Sequence, residues 1–148
     1  MEKNVKTVVV QTPGDISYLH RIRDFIGGIA AEVGIDQQDI DNIELALDEA
    51  CTNVIEHGYA PDDPNKEITI CMEIDTSKLV LTVIDYAEPF DILRYTPRDV
   101  NELKAEGRDG GLGIRLIKRI MDTIEYRTTS DGHNELVMTR YFKSACQD

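Results

Sequence analysis

Asp48-Glu49-Ala50-Cys51-Thr52-Asn53-Val54-Ile55-Glu56-His57-Gly58-Tyr59 is the stretch from which the rest of the chain can be read. It closes a helix that Asp36 caps and Gly58 ends, with an apolar stripe at Ile40, Ile43, Leu47, Ala50 and Val54. Glu49 and Asn53 are four residues apart, so they share one helix face and project off that stripe. The side-chain oxygen of an Asn is a hard, neutral ligand suited to Mg²⁺, which takes few protein ligands and keeps phosphates and water for the rest. A carboxylate one turn earlier can accept a proton from an attacking hydroxyl. Taken alone, these residues fit a plain solvated helix face better.

Before this helix the spacing predicts a short strand over 6–10, a break at Thr12-Pro13-Gly14, and a helix capped by Asp15. Its apolar positions are Ile16, Leu19, Ile22, Ile26, Ile29 and Val33, and Gly34 closes it. After it come a Pro- and Asp-rich loop over 61–65 and two strands, 67–74 and 79–85, joined by a hairpin turn over 75–78. Residues 87–111 carry two prolines, glycines and many charges, which fits a functional lid or a disordered piece, with room for a short helix near 99–104. A helix over 112–121 and two strands, 123–129 and 135–142, with a turn at Asp131-Gly132, complete the chain.

Short turns between neighbouring strands imply antiparallel pairs, and helices in separate blocks imply one helical layer. The expected fold is α+β: a two-layer sandwich in which a mostly antiparallel, mixed sheet is covered on one face by helices. One domain over 1–148 is expected, with the lid at about 92–110.

Two further clusters carry chemistry. Val83-Ile84-Asp85 is an apolar strand that delivers a carboxylate at its end, where it can accept a hydrogen bond from an exocyclic amine such as that of adenine. An Asp in that place can also simply satisfy turn amides. Asp109-Gly110-Gly111-Leu112-Gly113-Ile114 runs straight into a helix, where glycines let backbone approach a phosphate and free amides favour anions. An ordinary hinge fits it too. No Gly-Lys-Ser/Thr follows and no strand leads directly in, so neither a P-loop nor a Rossmann fingerprint is present.

Composition narrows the classes. The 148 residues are 41% hydrophobic and 30% charged, as in a folded soluble protein rather than a disordered one. No apolar run approaches membrane-spanning length, and no signal-peptide core follows residues 1–6, so a cytoplasmic location away from membranes is expected. The net charge of −12 repels a phosphate backbone, which argues against nucleic acid; it can steer a basic protein partner, but by itself it fits an ordinary acidic soluble protein better. Cys51, Cys71 and Cys146 make no Cys-x-x-Cys pair, and His20, His57 and His133 are scattered, so no zinc site or disulfide framework is indicated. Cys51 and Cys71 lie in apolar patterns and are expected in the core.

In their order and context the three clusters resemble the N, G1 and G2 boxes of the gyrase/histidine-kinase (GHKL) ATPase superfamily. Residues 48–59, Phe90-Asp91, the run from Gly110 to Ile117 and Met121-Asp122 are similar to the anti-sigma factor serine/threonine-protein kinases within it, and the similarity spans nearly the whole chain. With no phosphoacceptor-histidine helix bundle in the sequence, a stand-alone kinase is expected rather than a complete sensor histidine kinase. The resemblance implies a kinase that uses ATP and Mg²⁺, phosphorylates a serine of a STAS-type anti-anti-sigma protein, sequesters a sigma factor and forms a homodimer. It implies Glu49 as general base, Asn53 as Mg²⁺ ligand, and Asp85 as reader of the adenine amine with Ala87 beside it. Gly110, Gly111, Leu112 and Gly113 would serve the phosphates. Among the basic residues of the lid (Arg94, Arg98, Lys104 and Arg108), Arg108 is best placed for a γ-phosphate, and Arg21 and Arg23 are available to a partner.

One departure stands out: the G1 box of the family usually reads Asp-x-Gly, and here it reads Asp85-Tyr86-Ala87. Ala is tolerated where φ is negative, and a positive φ would add roughly 1 kcal/mol of strain. Two other functions fit the same residues: a binding module of this fold without catalysis, and a regulator whose signalling partner is not a sigma factor.

Overall fold

The computed structural model describes residues 4–89 and 110–143. Strand β1 (Lys6–Pro13) leads into helix α1 (Ile16–Val33) and helix α2 (Gln37–Asn53), which continues as a π-turn over Val54–Gly58. Strands β2 (Glu67–Ile74) and β3 (Lys78–Asp85) follow, then helix α3 (Gly110–Ile120) and strands β4 (Thr123–Thr128) and β5 (Asn134–Tyr141).

Local chemistry sets the element ends. Asp15 accepts a hydrogen bond from Ser17 N–H at 2.8 Å and Asp36 from Asp39 N–H at 2.9 Å, each satisfying an amide that the first helical turn leaves unpaired. Gly34, at φ 99°, takes the left-handed conformation that ends α1. Asp75 Oδ1 accepts from Ser77 and Lys78 N–H and so builds the β2–β3 turn. These places agree with the sequence reading to within a few residues at each end.

The five strands take the order β1-β2-β3-β5-β4. All four pairings are antiparallel, where a mixed sheet is expected from the sequence. β3 and β4 do run in the same direction, because both oppose β5, as a helical crossover requires. β5 inserts between them, so a shared direction never becomes a parallel pairing.

Strand alternation sends Ile68, Ile70, Met72 and Ile74, then Leu79, Leu81 and Val83, then Leu136 and Met138, to one buried face. Helix residues Leu19, Ile26, Ala30, Ile43, Leu47, Ala50, Cys51 and Ile117 meet them there. Two details differ from the sequence reading. Ile16, in the first turn of α1, is exposed, and the buried stripe runs instead through Leu19, Ile26 and Ala30. Cys71 is only half-buried, because its neighbours Ile70 and Met72 claim the core face and the alternation turns Cys71 to the other side. Cys146 and the short helix expected near 99–104 lie outside the described residues. No helix among the described residues is long and apolar enough to cross a membrane.

Candidate nucleotide site

Asp85 is the last residue of β3, and its inward register makes it buried. Strand pairing sets Asn134, the first residue of β5, directly opposite. Asn134 is 1% exposed and uses its whole amide. Its Nδ2 donates to Asp85 Oδ1 at 2.9 Å and to the Ala87 carbonyl at 2.9 Å, while its Oδ1 accepts from the Thr128 hydroxyl at 3.0 Å. Asp85 Oδ1 also accepts from Ala87 N–H at 2.9 Å. One carboxylate oxygen is thereby occupied by protein donors, which fixes the plane of the group and leaves Oδ2 as the oxygen suited to a ligand. Burial pushes the Asp85 carboxyl above the usual Asp range, opposed by the hydrogen bonds from Asn134 and Ala87 and by nearby His133.

Tyr59, just after the π-turn, reaches the same strand end. Its hydroxyl donates to the Glu67 carbonyl at 2.6 Å and accepts from Tyr86 N–H at 3.0 Å. Ala87 is buried, and among the described residues no residue other than glycine has a positive φ. The alanine in the G1 position therefore carries none of the backbone strain that a left-handed conformation would impose.

The opposite wall comes from α2. Asn53 is its last α-helical residue and is 4% exposed. Its Nδ2 donates to the Glu49 carbonyl at 2.8 Å, which ties the amide nitrogen back to the helix and points the amide oxygen away from it. Tyr59 N–H then bonds Val54 O at 3.1 Å, five residues back, so the helix widens into a π-turn beside Asn53. Such widenings are frequent at functional sites.

The two walls face each other. Asn53, Val54 and Gly58 on one side and Asp85, Glu88 and Asn134 on the other line one cleft, with Ala50, Tyr126 and Leu136 as its apolar floor. The enclosed space between these walls is about 30 Å³, which suits ordered water rather than a purine ring.

The other expected site residues are placed as follows. Glu49 is half-buried one turn before Asn53 and does not line this cleft. Gly110, Gly111, Leu112 and Gly113 form the first turn of α3, two residues earlier than the sequence suggests, where backbone amides lack partners within the helix. α3 is anchored by Ile117 and Ile120 in the core. Phe90-Asp91 and residues 92–109 of the expected lid, with Arg94, Arg98, Lys104 and Arg108, lie outside the described residues. Arg23 is engaged by Asp48 at 2.9 Å across the α1–α2 pair. No group of three His, Cys, Asp or Glu that could hold a metal occurs among the described residues.

The sequence reading misses Asn134, and it quotes Gly58 and Tyr59 in the 48–59 stretch without giving either a role at the site. A signal for Asn134 exists: it occupies the inward register of β5, two and four residues before Leu136 and Met138, where a polar residue needs a reason.

A family model for the histidine kinase-like ATPase domain matches residues 12–140. Serine-protein kinase RsbW of Bacillus subtilis is 29% identical over an alignment covering 95% of this chain and 89% of its own. The RsbW of Bacillus cereus strain ATCC 10987 is 29% identical over 97% of this chain and 89% of its own. That of Halalkalibacterium halodurans is 28% identical over 93% and 85%. A chain in the crystal structure of the SiaB-SiaC complex from Pseudomonas aeruginosa superposes with a TM-score of 0.61 at 17% identity, over 91% of this chain and 89% of that one, a likeness of fold.

Proposed function

Because the chain belongs to the histidine kinase-like ATPase family, we propose that it is an ATP-dependent protein serine kinase that acts as an anti-sigma factor. Its substrate would be a serine of a small STAS-type anti-anti-sigma protein, and a sigma factor the partner it holds, with a homodimer as the working form. The observation that carries the proposal is the convergence of Asn53 and Asp85 on one cleft from separate elements. Similarity to serine-protein kinases along nearly the whole chain supports the reaction class.

In this assignment Asp85 accepts the adenine amine through Oδ2, held in place by Asn134 and Ala87. The Asn53 amide oxygen is the protein ligand of Mg²⁺. Without an acidic cluster among the described residues, the ion would depend on phosphates and water for the rest, which suits Mg²⁺. Bound Mg²⁺ supplies charge neutralisation on the phosphates. The first turn of α3 offers amides to the same phosphates, the 92–110 segment closes over them as the lid, and Glu49 takes the proton of the attacking serine. Phosphoryl transfer asks mainly for positioning and charge compensation, and these groups suffice for both.

A second reading is a nucleotide-binding regulator that transfers no phosphate, or one whose partner is not a sigma factor. Ala87, where the G1 box usually has glycine, favours it, and Glu49 one turn before Asn53 counts against it. Incubation with radiolabelled ATP and a STAS protein separates the two. Label on the STAS protein, lost in Glu49→Ala with ATP binding kept, supports the kinase; ATP binding with no label on any STAS protein supports the regulator. A pull-down from the native cell that yields neither a sigma factor nor a STAS protein removes the regulatory half of the proposal.

A further inference from the structure

Ala87 stands where the G1 box usually has glycine, and its methyl group has to be accommodated. It lies against the end of the π-turn. A Cβ built on Gly58 would come within 3.2 Å of Ala87 Cβ and 3.8 Å of Val54 Cγ1. The first of these is shorter than the roughly 3.5–4.0 Å at which carbon atoms settle. Gly58 is not required for its backbone: among the described residues only Gly34 and Gly132 are glycines with positive φ. What remains is the missing side chain.

We propose that Gly58 is a positioning residue of the nucleotide site, the residue whose empty side-chain position admits the Ala87 methyl, so that this contact holds one methyl group and not two. Neither side can easily yield. Ala87 is held through its N–H to Asp85 Oδ1 and through its carbonyl to Asn134 Nδ2. Tyr59, next to Gly58, is bonded through its hydroxyl to Tyr86 N–H, which ties the π-turn to the same strand end. A methyl added at Gly58 therefore pushes on the carboxylate that reads the base. Gly58 also lines the cleft beside Asn53 and Val54, so the push reaches both walls.

This role rests on the reading of the cleft as an ATP site, and the experiment separates the two. Mg-ATP affinity is measured by calorimetry, and melting temperature without nucleotide, for the wild type, Gly58→Ala, Ala87→Gly and the double variant. Gly58→Ala alone is expected to weaken Mg-ATP binding about tenfold, from overpacking against a fixed neighbour. Moving the methyl from one side to the other restores it: the double variant is expected to recover most of the roughly tenfold loss that Gly58→Ala alone shows. Wild type that binds Mg-ATP while Gly58→Ala binds it equally well, with only a lowered melting temperature, makes the contact merely structural and overturns the role. A double variant no better than Gly58→Ala overturns it as well. Wild type that fails to bind Mg-ATP overturns the site reading, and the role with it.

Discussion

The two walls of the cleft are built by different means. On the sheet side, Asp85 and Asn134 are separated by 49 residues of sequence and joined by a hydrogen-bond network that includes the Ala87 backbone and the Thr128 hydroxyl. On the helix side, Asn53 is held by a bond to a carbonyl four residues back. The wall proposed to read the base is thus a product of tertiary topology, and the wall proposed to hold the metal a product of helical geometry. Disturbing the first should be felt throughout the fold, and disturbing the second should be felt locally.

The largest expected effect is that of Asp85→Asn. The substitution keeps an acceptor for Asn134 and Ala87 but turns the ligand-facing oxygen into a donor. Mg-ATP affinity should fall by about a hundredfold or more in calorimetry, the loss of a charge-assisted hydrogen bond. Stability should move the other way. Burial raises the Asp85 pKa, so the folded protein holds that proton more tightly than the unfolded chain, and stability falls as pH rises through the folded pKa. Asp85→Asn should therefore melt above wild type at pH 7 without nucleotide, and the gap should close below about pH 4, where Asp is protonated in both states.

Asn134→Leu comes next. It leaves Asp85, the Ala87 carbonyl and the Thr128 hydroxyl short of a partner in a buried place, at a cost of about 2–3 kcal/mol in urea denaturation. The same loss removes a donor that favours the carboxylate. The pH below which Mg-ATP binding disappears should rise relative to wild type. Asn53→Ala should lower affinity about tenfold with Mg²⁺ present and leave it unchanged in EDTA, with folding stability within about 1 kcal/mol of wild type. If Asn53→Ala destabilised the fold as much as Asn134→Leu, the contrast between the walls would be gone. Tyr59→Phe is the smallest change, expected to reduce stability by about 1 kcal/mol in urea, because two backbone groups lose the Tyr59 hydroxyl.

This contrast also explains what the sequence discloses. Asp15, Asp36, Gly34 and the Asp75 turn are legible because each acts on residues within a few positions of itself. Glu49 and Asn53 are legible as a pair for the same reason, although only Asn53 lines the cleft. Asp85 is legible as a strand-ending carboxylate, but its partner is not, since Asn134 meets it only once β5 enters the sheet beside β3. The π-turn leaves no periodic trace, because one widened turn shifts the helical phase only after the last apolar position of α2. The departure at Ala87 is visible in sequence, whereas the φ that spares it backbone strain and its approach to Gly58 are properties of the folded chain.

The insertion of β5 between β3 and β4 has a consequence for biosynthesis. A nascent chain emerges from its N-terminus and presents both long helices and the first three strands well before residue 134 appears. Until then the aspartate at the tip of β3 lacks the amide that orients it, and the middle of the sheet has an open edge. On the proposed reading, competence for nucleotide waits on β5 joining the sheet, so binding would distinguish chains with β5 in place from chains that lack it.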